Sequence, residues 1–386
     1  MTTIMTTEQA EIRDAVRDYA NRVLADGYLR RAKSPKFPWE IHRQIADLGA
    51  LGLLAGPKYN PLETEDYVAA GLVIEELAAG DFNAANAVIP VLLMSSLLHR
   101  HAPQDLAERW LPDLVRGESY LAFGLTEPGT GSDAGRIRTT AVAENGGYRI
   151  SGEKTSVTML GNAEAIILAA QTVRDGRGVG VSTLLVPLNA DGIATSTVED
   201  TGWLPLGRGV LHLDGVWVPE SNLIGPEGRA FSRVLNGFDF TRPLLALTGI
   251  GIAQRSLDET AGYVQMREAF GSRLSKFEGV SFPLAEHLTK LEAARLICYS
   301  ALQKRTAGLP HTAEAAMAKW FGPHTASAAI KDCLLLHGNY GYSTELPFEQ
   351  RLRDAMSVEI ADGTSQIQKI IIMREKYGRE FIPYEK

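Results

Sequence analysis

Residues 139–152, TTAVAENGGYRISG, decide the fold class, because they form the clearest β-hairpin pattern in a chain that otherwise shows helical periodicity. Two β-like arms flank Asn145, Gly146 and Gly147, a composition typical of a tight turn between paired strands. Further short apolar runs with strand character follow at 165–173, 181–188 and 211–219. We therefore expect a small β domain within the chain.

The segments before and after this β region are predicted to be helical. Residues 8–25 place Ile12, Val16 and Tyr19 on one helical face, with charged residues opposite, and residues 38–54 repeat the pattern. The helical period returns near residue 235 and continues to the end.

This order predicts an α+β fold that is mostly α. Strands do not alternate with helices, so a nucleotide-binding parallel sheet is not expected. The predicted domains are an N-terminal helical domain over 1–118, a central β domain over 119–230 and a C-terminal helical bundle over 231–386.

Composition limits the classes of partner. The chain has 386 residues, 45% hydrophobic and 22% charged, with a net charge of −7 and no long basic run. This argues against nucleic acid as a main partner. The polar, acidic N-terminus resembles no secretory signal or transit peptide, and the apolar runs are short, so we expect a cytoplasmic protein without a membrane span. Cys298 and Cys333 are expected to be buried thiols, not a disulfide.

Residues 359–368, EIADGTSQIQ, place the carboxylate of Asp362 on a glycine turn before a helix. That helix has apolar residues at i, i+3 and i+4 from Ile367 and so has a face to bury. A carboxylate on a short turn between packed elements can be desolvated and aimed, as a general base must be. The alternative is a helix cap, and this segment alone leaves both interpretations open.

A second turn, FGLTEPGTGSD at 123–133, follows the end of a predicted strand. It is not a P-loop, because no Gly-Lys-Ser/Thr follows, and its glycine spacing differs from a dinucleotide-binding fingerprint. Most turns of this composition bind nothing. His99 and His101 lack a ligand cluster around them, so no metal site is expected.

Five motifs, in one consistent order over nearly the whole chain, resemble those of the acyl-CoA dehydrogenase family. They are GLTEPGTGSDAG at 124–135, FDFTRP at 238–243, REAFG at 267–271, YGYSTELPFEQRLRDA at 340–355 and DGTSQIQ at 362–368. The resemblance implies a helical domain, a β-barrel-like domain and a four-helix bundle, assembled as a homotetramer. It also implies FAD between the β domain and the bundle, an acyl-CoA or acyl-carrier thioester as substrate, and an electron-transfer protein as acceptor.

The resemblance also implies roles for individual residues. Asp362 occupies the position of the catalytic Glu, and its backbone N–H is a donor to the thioester oxygen. The implied FAD contacts are Phe123, Leu125, Thr126, Gly131, Ser132, Ser156, Thr158, Arg267, Phe270, Gly338, Thr364 and Gln366. The implied substrate contacts are Ser132, Phe238, Asp239, Arg242 and Gly363.

Asp in place of Glu is the main departure from the family pattern. The shorter side chain withdraws the carboxylate by about 1.5 Å, and an offset near ~1 Å costs about 100-fold in a tuned proton transfer. An alicyclic or branched acyl group that brings its Cα closer is one explanation. The alternatives are a carrier-protein thioester dehydrogenase, a nitroalkane oxidase-like flavoenzyme, or a catalytically weak paralogue with a binding role. Thr241 matches the position where some members place the base, and it cannot serve as one.

Other departures fall on the implied FAD contacts. Ser156 replaces a Trp that covers one flavin face, which predicts a more open or differently filled flavin environment. Glu278, Leu335 and Asn339 replace Gln, Gln and Gly near the FAD tail, which predicts looser or shifted binding.

Overall fold

The computed structural model describes residues 5–62 and 64–383. Its first part is helical, as predicted. A capping box at Thr6 and Gln9 starts the first helix, where each side chain accepts a hydrogen bond from the other residue's backbone N–H. The helices are α1 (Thr7–Tyr19), continued by a π-helical turn (Ala20–Leu24), α2 (Tyr28–Ala32), α3 (Trp39–Asp47), α4 (Tyr67–Gly80), α5 (Phe82–His101) and α6 (Gln104–Val115).

The helix α5 is long and apolar enough to cross a membrane, but 78% of its most apolar window is buried inside the fold. Buried core helices have the same composition, so this feature is weak support for a membrane span.

The central part forms the predicted sheet, of eight strands. Its order is β6-β7-β3-β2-β4-β5-β8, with β1 paired in parallel to β4. Asn145 and Gly146 have φ of 50° and 73°, the left-handed conformation of a tight hairpin turn, and this confirms the predicted hairpin. The strands are β1 (Leu121–Gly124), β2 (Thr140–Glu144), β3 (Gly147–Thr158), β4 (Ala165–Arg174), β5 (Arg177–Pro187), β6 (Ile193–Val198), β7 (Arg208–Pro219) and β8 (Leu223–Ile224).

The last part is again helical, with one short hairpin. The hairpin consists of β9 (Glu268–Ala269) and β10 (Ser272–Arg273) and separates the first two helices. The helices are α7 (Ala230–Met266), α8 (Glu278–Thr306), α9 (Thr312–Leu336), α10 (Phe348–Ser357) and α11 (Ser365–Tyr377).

Contacts divide the chain into two compact units. The described parts of residues 1–33, 67–86 and 239–386 form the helical unit, and those of 34–66 and 87–238 form the β unit. Within the helical unit, α9 packs against α8, α10 and α11. Cys298 and Cys333 are buried free thiols in α8 and α9. The core of the β unit is built from inward-facing strand residues such as Tyr148, Ile166 and Leu211.

Candidate active site

Asp362 lies in the turn between α10 and α11, in the helical unit. Its backbone is left-handed, with φ of 50°, and Gly363 follows with φ of 95°. Among non-glycine residues, Asp and Asn adopt this conformation most readily. The Gln368 amide donates to the carbonyl oxygens of Asp362 at 3.2 Å and Gly363 at 2.9 Å. Lys319 of α9 donates to the carbonyl oxygens of Val358 and Gly363, so the turn is held from two helices.

The helix α7 contacts both the side chain and the backbone of Asp362. Thr241 Oγ1 donates to Asp362 Oδ2 at 2.6 Å, and Arg242 Nε donates to the Asp362 carbonyl oxygen at 3.4 Å. Arg242 Nη1 is fixed in turn by Asp239 Oδ1 at 2.7 Å. Thr312 Oγ1 donates to the other oxygen of Asp239 at 2.7 Å. The predicted base and two predicted substrate contacts therefore form one connected network.

Two buried cations accompany the carboxylate. Burial lowers the pKa of Lys319 to about 8, against the opposing charge of Asp362 and with a further lowering by Arg242. Burial also lowers the pKa of Arg242, opposed by Asp239 and Asp362. Cations with so little water around them are stabilised by nearby negative charge. The charge of Asp362 opposes the lowering of both pKa values.

The start of α11 opens onto a cavity of about 400 Å³. Thr364 is the N-cap residue of α11, yet its side chain makes no capping hydrogen bond, and the buried Ser365 hydroxyl has no partner. A helix start with unsatisfied N–H groups attracts anions. The cavity includes the predicted FAD contacts Thr364 and Gln366, and its lining is Trp320, His324, Glu359, Ile360, Thr364, Ser365, Gln366 and Lys369.

The glycine-rich turn lies in the β unit and is held by a buried ion pair. Lys154 Nζ contacts Glu127 Oε1 at 2.8 Å and the Leu125 carbonyl oxygen at 3.1 Å. Glu127 also accepts hydrogen bonds from the Thr139 backbone at 2.9 Å and hydroxyl at 2.7 Å. Burial alone would raise the pKa of Glu127, but these donors bring it below its ordinary value. The ion pair fixes the turn that carries the predicted contacts Thr126, Gly131 and Ser132.

The outer side of this turn is open. A Cβ at Gly131 would meet no atom within 4 Å, and Ser132 is exposed. Phe123 and Phe238, also predicted contacts, meet edge to face with their ring centroids 6.1 Å apart. The open space lies at the outer side of the turn, next to Gly131.

Ser156 has φ of 56° at a register shift between β3 and β7, and it is exposed. Arg208 Nη1 donates to its hydroxyl at 3.3 Å, and Asp200 pairs with the same guanidinium. Thr158, at the end of β3, pairs with Arg208 across the strands. The Arg208 guanidinium therefore lies beside Ser156, the position at which the resemblance implies a Trp.

The predicted contacts with a neighbour's FAD lie on exposed turns of the helical unit. Phe270 is 99% exposed at the tip of the β9–β10 hairpin, with φ of 51°. Arg267 and Gly338 are exposed as well. None of the three is among the residues that line the cavity at α11. The departures Glu278, Leu335 and Asn339 are also exposed.

Sequence reasoning missed several of the residues described above. Thr241 was considered only as a possible base, whereas its hydroxyl donates a hydrogen bond to the Asp362 carboxylate. Lys319, Glu127 and Lys154 were not selected, although a Lys inside the apolar run AAMAKWF was a usable signal. Within the described ranges, no group of three or more His, Cys, Asp or Glu side chains is placed to hold a metal ion.

Comparison with known proteins identifies the family. Models of the acyl-CoA dehydrogenase N-terminal, middle and C-terminal domains match residues 6–118, 122–216 and 228–377. The chain therefore belongs to the acyl-CoA dehydrogenase family. It is an FAD-dependent oxidoreductase that acts on CH–CH bonds, as its relatives are.

Individual relatives match over almost their whole length. An acyl-CoA dehydrogenase of Bacillus subtilis is 32% identical, covering 97% of this chain and 99% of its own. The CarC subunit of the caffeyl-CoA reductase-Etf complex of Acetobacterium woodii is 32% identical, covering 94% and 96%. The butyryl-CoA dehydrogenase of Megasphaera elsdenii superimposes with a TM-score of 0.90 at 29% identity, covering 96% and 98%.

The residues of this chain fit FAD. The uncapped start of α11 and the unpartnered Ser365 hydroxyl suit the negative charge of a diphosphate. The open turn around Gly131 gives a flavin ring access to backbone donors in the β unit. Thr364 and Gln366, which line the cavity at the start of α11, would contact the cofactor.

Proposed function

We propose that this protein removes hydrogen from the Cα and Cβ atoms of an acyl thioester, with Asp362 as the general base. The observation that carries this proposal is the Asp362 carboxylate, held on a fixed turn beside the α11 cavity. Its Oδ2 is engaged by Thr241, while Oδ1 accepts no hydrogen bond from any described residue. An acceptor with this geometry can take a proton from carbon.

FAD, when bound, would supply the hydride acceptor, and the protein supplies the base and the positioning. Asp362 Oδ1 takes the Cα proton, and the electron pair of that C–H bond forms the Cα=Cβ double bond as the hydride leaves Cβ. The backbone N–H of Asp362 has no acceptor within the described residues. It is therefore available to donate to the thioester oxygen, where negative charge develops during proton removal.

The short reach of Asp362 supports a substrate whose Cα approaches closely. The Thr241 hydrogen bond restrains the carboxylate, so it cannot move outward without losing this partner. An alicyclic or α-branched acyl-CoA is therefore the proposed substrate class. The same chemistry on an acyl-carrier thioester is the second candidate. Asp362 would act on the acyl group, which CoA and a carrier protein present as the same kind of thioester.

The remaining parts of the proposal concern assembly and electron transfer. We propose a homotetramer in which Arg267, Phe270 and Gly338 complete a neighbour's FAD site. The exposure of Phe270 supports this, since its ring is accessible to a neighbouring subunit. An electron-transfer flavoprotein is the proposed acceptor, in keeping with the Etf complex of the CarC relative. Two free thiols suit a reducing compartment such as the cytoplasm.

The test is an anaerobic titration of the purified flavoprotein with straight-chain, branched and alicyclic acyl-CoAs, followed by flavin absorbance. Bleaching by the alicyclic or branched class is expected, with Asp362→Asn at least about 100-fold slower, the usual worth of a general base. If the flavin band bleaches only with carrier-protein thioesters or only with nitroalkanes, that compound class replaces acyl-CoA as the proposed substrate. Normal bleaching in Asp362→Asn would remove Asp362 as the base.

A further inference from the structure

The contact between Thr241 and Asp362 joins two residues that are 121 positions apart in the chain. Thr241 is 2% exposed and lies in the first half of α7. Its hydroxyl donates to Asp362 Oδ2 at the short distance of 2.6 Å. A buried donor with this geometry determines how the carboxylate is turned.

The backbone of Asp362 is fixed independently of its side chain. Arg242 and Gln368 donate to its carbonyl oxygen, at 3.4 and 3.2 Å. Lys319 holds the neighbouring Gly363 carbonyl oxygen at 3.4 Å. With the backbone held, rotation about the two side-chain torsions is the remaining freedom of the carboxylate. Thr241 is the residue that contacts the carboxylate directly and restricts this rotation.

We propose that Thr241 is a positioning residue for the general base. Its hydroxyl turns the Asp362 carboxylate so that Oδ1, and not Oδ2, receives the substrate proton. This inference rests on the proposed function, because it assigns a role to Thr241 only through Asp362.

The hydrogen bond aligns the acceptor for proton transfer, and loss of alignment by about 1 Å costs up to about 100-fold in rate. Removing the hydroxyl should therefore lower the maximal rate of flavin reduction without changing how tightly the acyl-CoA binds. A residue that merely supports the fold would not separate these two quantities.

Other charged groups near Asp362 must stay constant in the comparison. They are Asp239 and Arg242 on α7, Lys319 and His324 on α9, Glu359 in the turn, and Lys369 and Arg374 on α11. Substitution of Thr241 by an uncharged residue leaves all of them in place. A lower plateau rate then reports the lost hydroxyl.

The experiment compares Thr241→Val, which removes the hydroxyl at similar volume, with Thr241→Ser, which keeps it. Flavin reduction is measured by stopped flow at one fixed pH over a range of acyl-CoA concentrations, using the acyl-CoA that bleaches the wild type. For Thr241→Val we expect a plateau rate about 10-fold lower at an unchanged half-saturating concentration. Thr241→Ser should restore the plateau rate to within about 2-fold.

A second readout does not depend on activity. Crystal structures of both variants would show Asp362 in one rotamer in Thr241→Ser and in several rotamers in Thr241→Val. An unchanged plateau rate, or a single wild-type rotamer in Thr241→Val, would overturn the inference while leaving Asp362 as the base. Normal flavin reduction in Asp362→Asn would instead overturn the proposed function and this inference with it.

Discussion

Lys154 Nζ lies 2.8 Å from Glu127 Oε1 in the β unit, and the Lys154 side chain is fully buried. This ion pair supports the turn at 126–132, because Lys154 also donates a hydrogen bond to the carbonyl oxygen of Leu125, directly before the turn. Residue 155 adds a backbone hydrogen bond to Thr126 at 2.9 Å. The turn that is expected to meet the flavin is therefore supported by buried charge.

Lys154→Met should destabilise the β unit. It leaves the buried Glu127 carboxylate without its counter-ion, and losing one partner of such a pair costs about 3–5 kcal/mol. Urea unfolding, followed by tryptophan fluorescence, measures this loss. The double variant Lys154→Met with Glu127→Gln is the control and should recover part of it. Equal stability of the single and double variants would contradict the argument.

Lys319→Met should change how stability depends on alkaline pH. Burial lowers the pKa of Lys319 from 10.5 to about 8. Between these values the unfolded chain keeps its proton while the folded chain has lost it, so wild-type stability rises with pH through this window. The slope is at most about 1.4 kcal/mol per pH unit.

In Lys319→Met this rise of stability with pH should be absent. Unfolding measurements from pH 7 to 10.5 would then give a flatter curve of unfolding free energy against pH. The variant also removes the donor to the Val358 and Gly363 carbonyl oxygens. Lys319→Arg is the matched control, because it keeps a donor that does not titrate in this range. Parallel curves for wild type and Lys319→Met would show that Lys319 stays charged.

Asp362→Glu should change substrate preference. The added methylene extends the carboxylate by about 1.5 Å and displaces it from Thr241. We expect kcat/KM to shift by about 10-fold toward straight-chain over alicyclic or branched acyl-CoAs. Steady-state kinetics on both substrate classes measures the ratio, with wild type as reference. An unchanged ratio would mean that the reach of this side chain does not select the acyl group.

Phe270→Ser should weaken assembly and FAD retention together. The ring is 99% exposed in the single chain, so its loss costs the isolated subunit little. Light scattering on a size-exclusion column would report a smaller oligomer, and absorbance would report less bound flavin. Val179→Ser, an exposed apolar residue on β5, is the matched control. If Phe270→Ser keeps the oligomer mass and the flavin content of the wild type, the β9–β10 hairpin lies outside the interface.

Local patterns predicted the elements of this fold well. The Asn145-Gly146 turn and the helical periodicity depend on neighbouring residues, and the structure confirms both. Asp362 was found for the same reason, since a carboxylate before Gly363 and an apolar helix is a local signal.

The partners of these residues could not be predicted in the same way. Thr241 and Lys319 reach the Asp362 turn from helices that are distant in the chain, and helix packing decides which side chains meet. The Glu127–Lys154 pair spans 27 positions across two strands and a turn. Pairing of this kind follows from sheet register, which composition does not reveal.

The free start of α11 also bears on how the protein matures. Thr364 provides no side-chain cap, so the first turn of this helix lacks that source of stabilisation. A bound diphosphate would supply it, and a ligand that binds only the folded form raises stability by mass action. Cofactor loading would then complete a secondary-structure element. In newly made chains the segment after Asp362 would gain this stabilisation only when the cofactor binds.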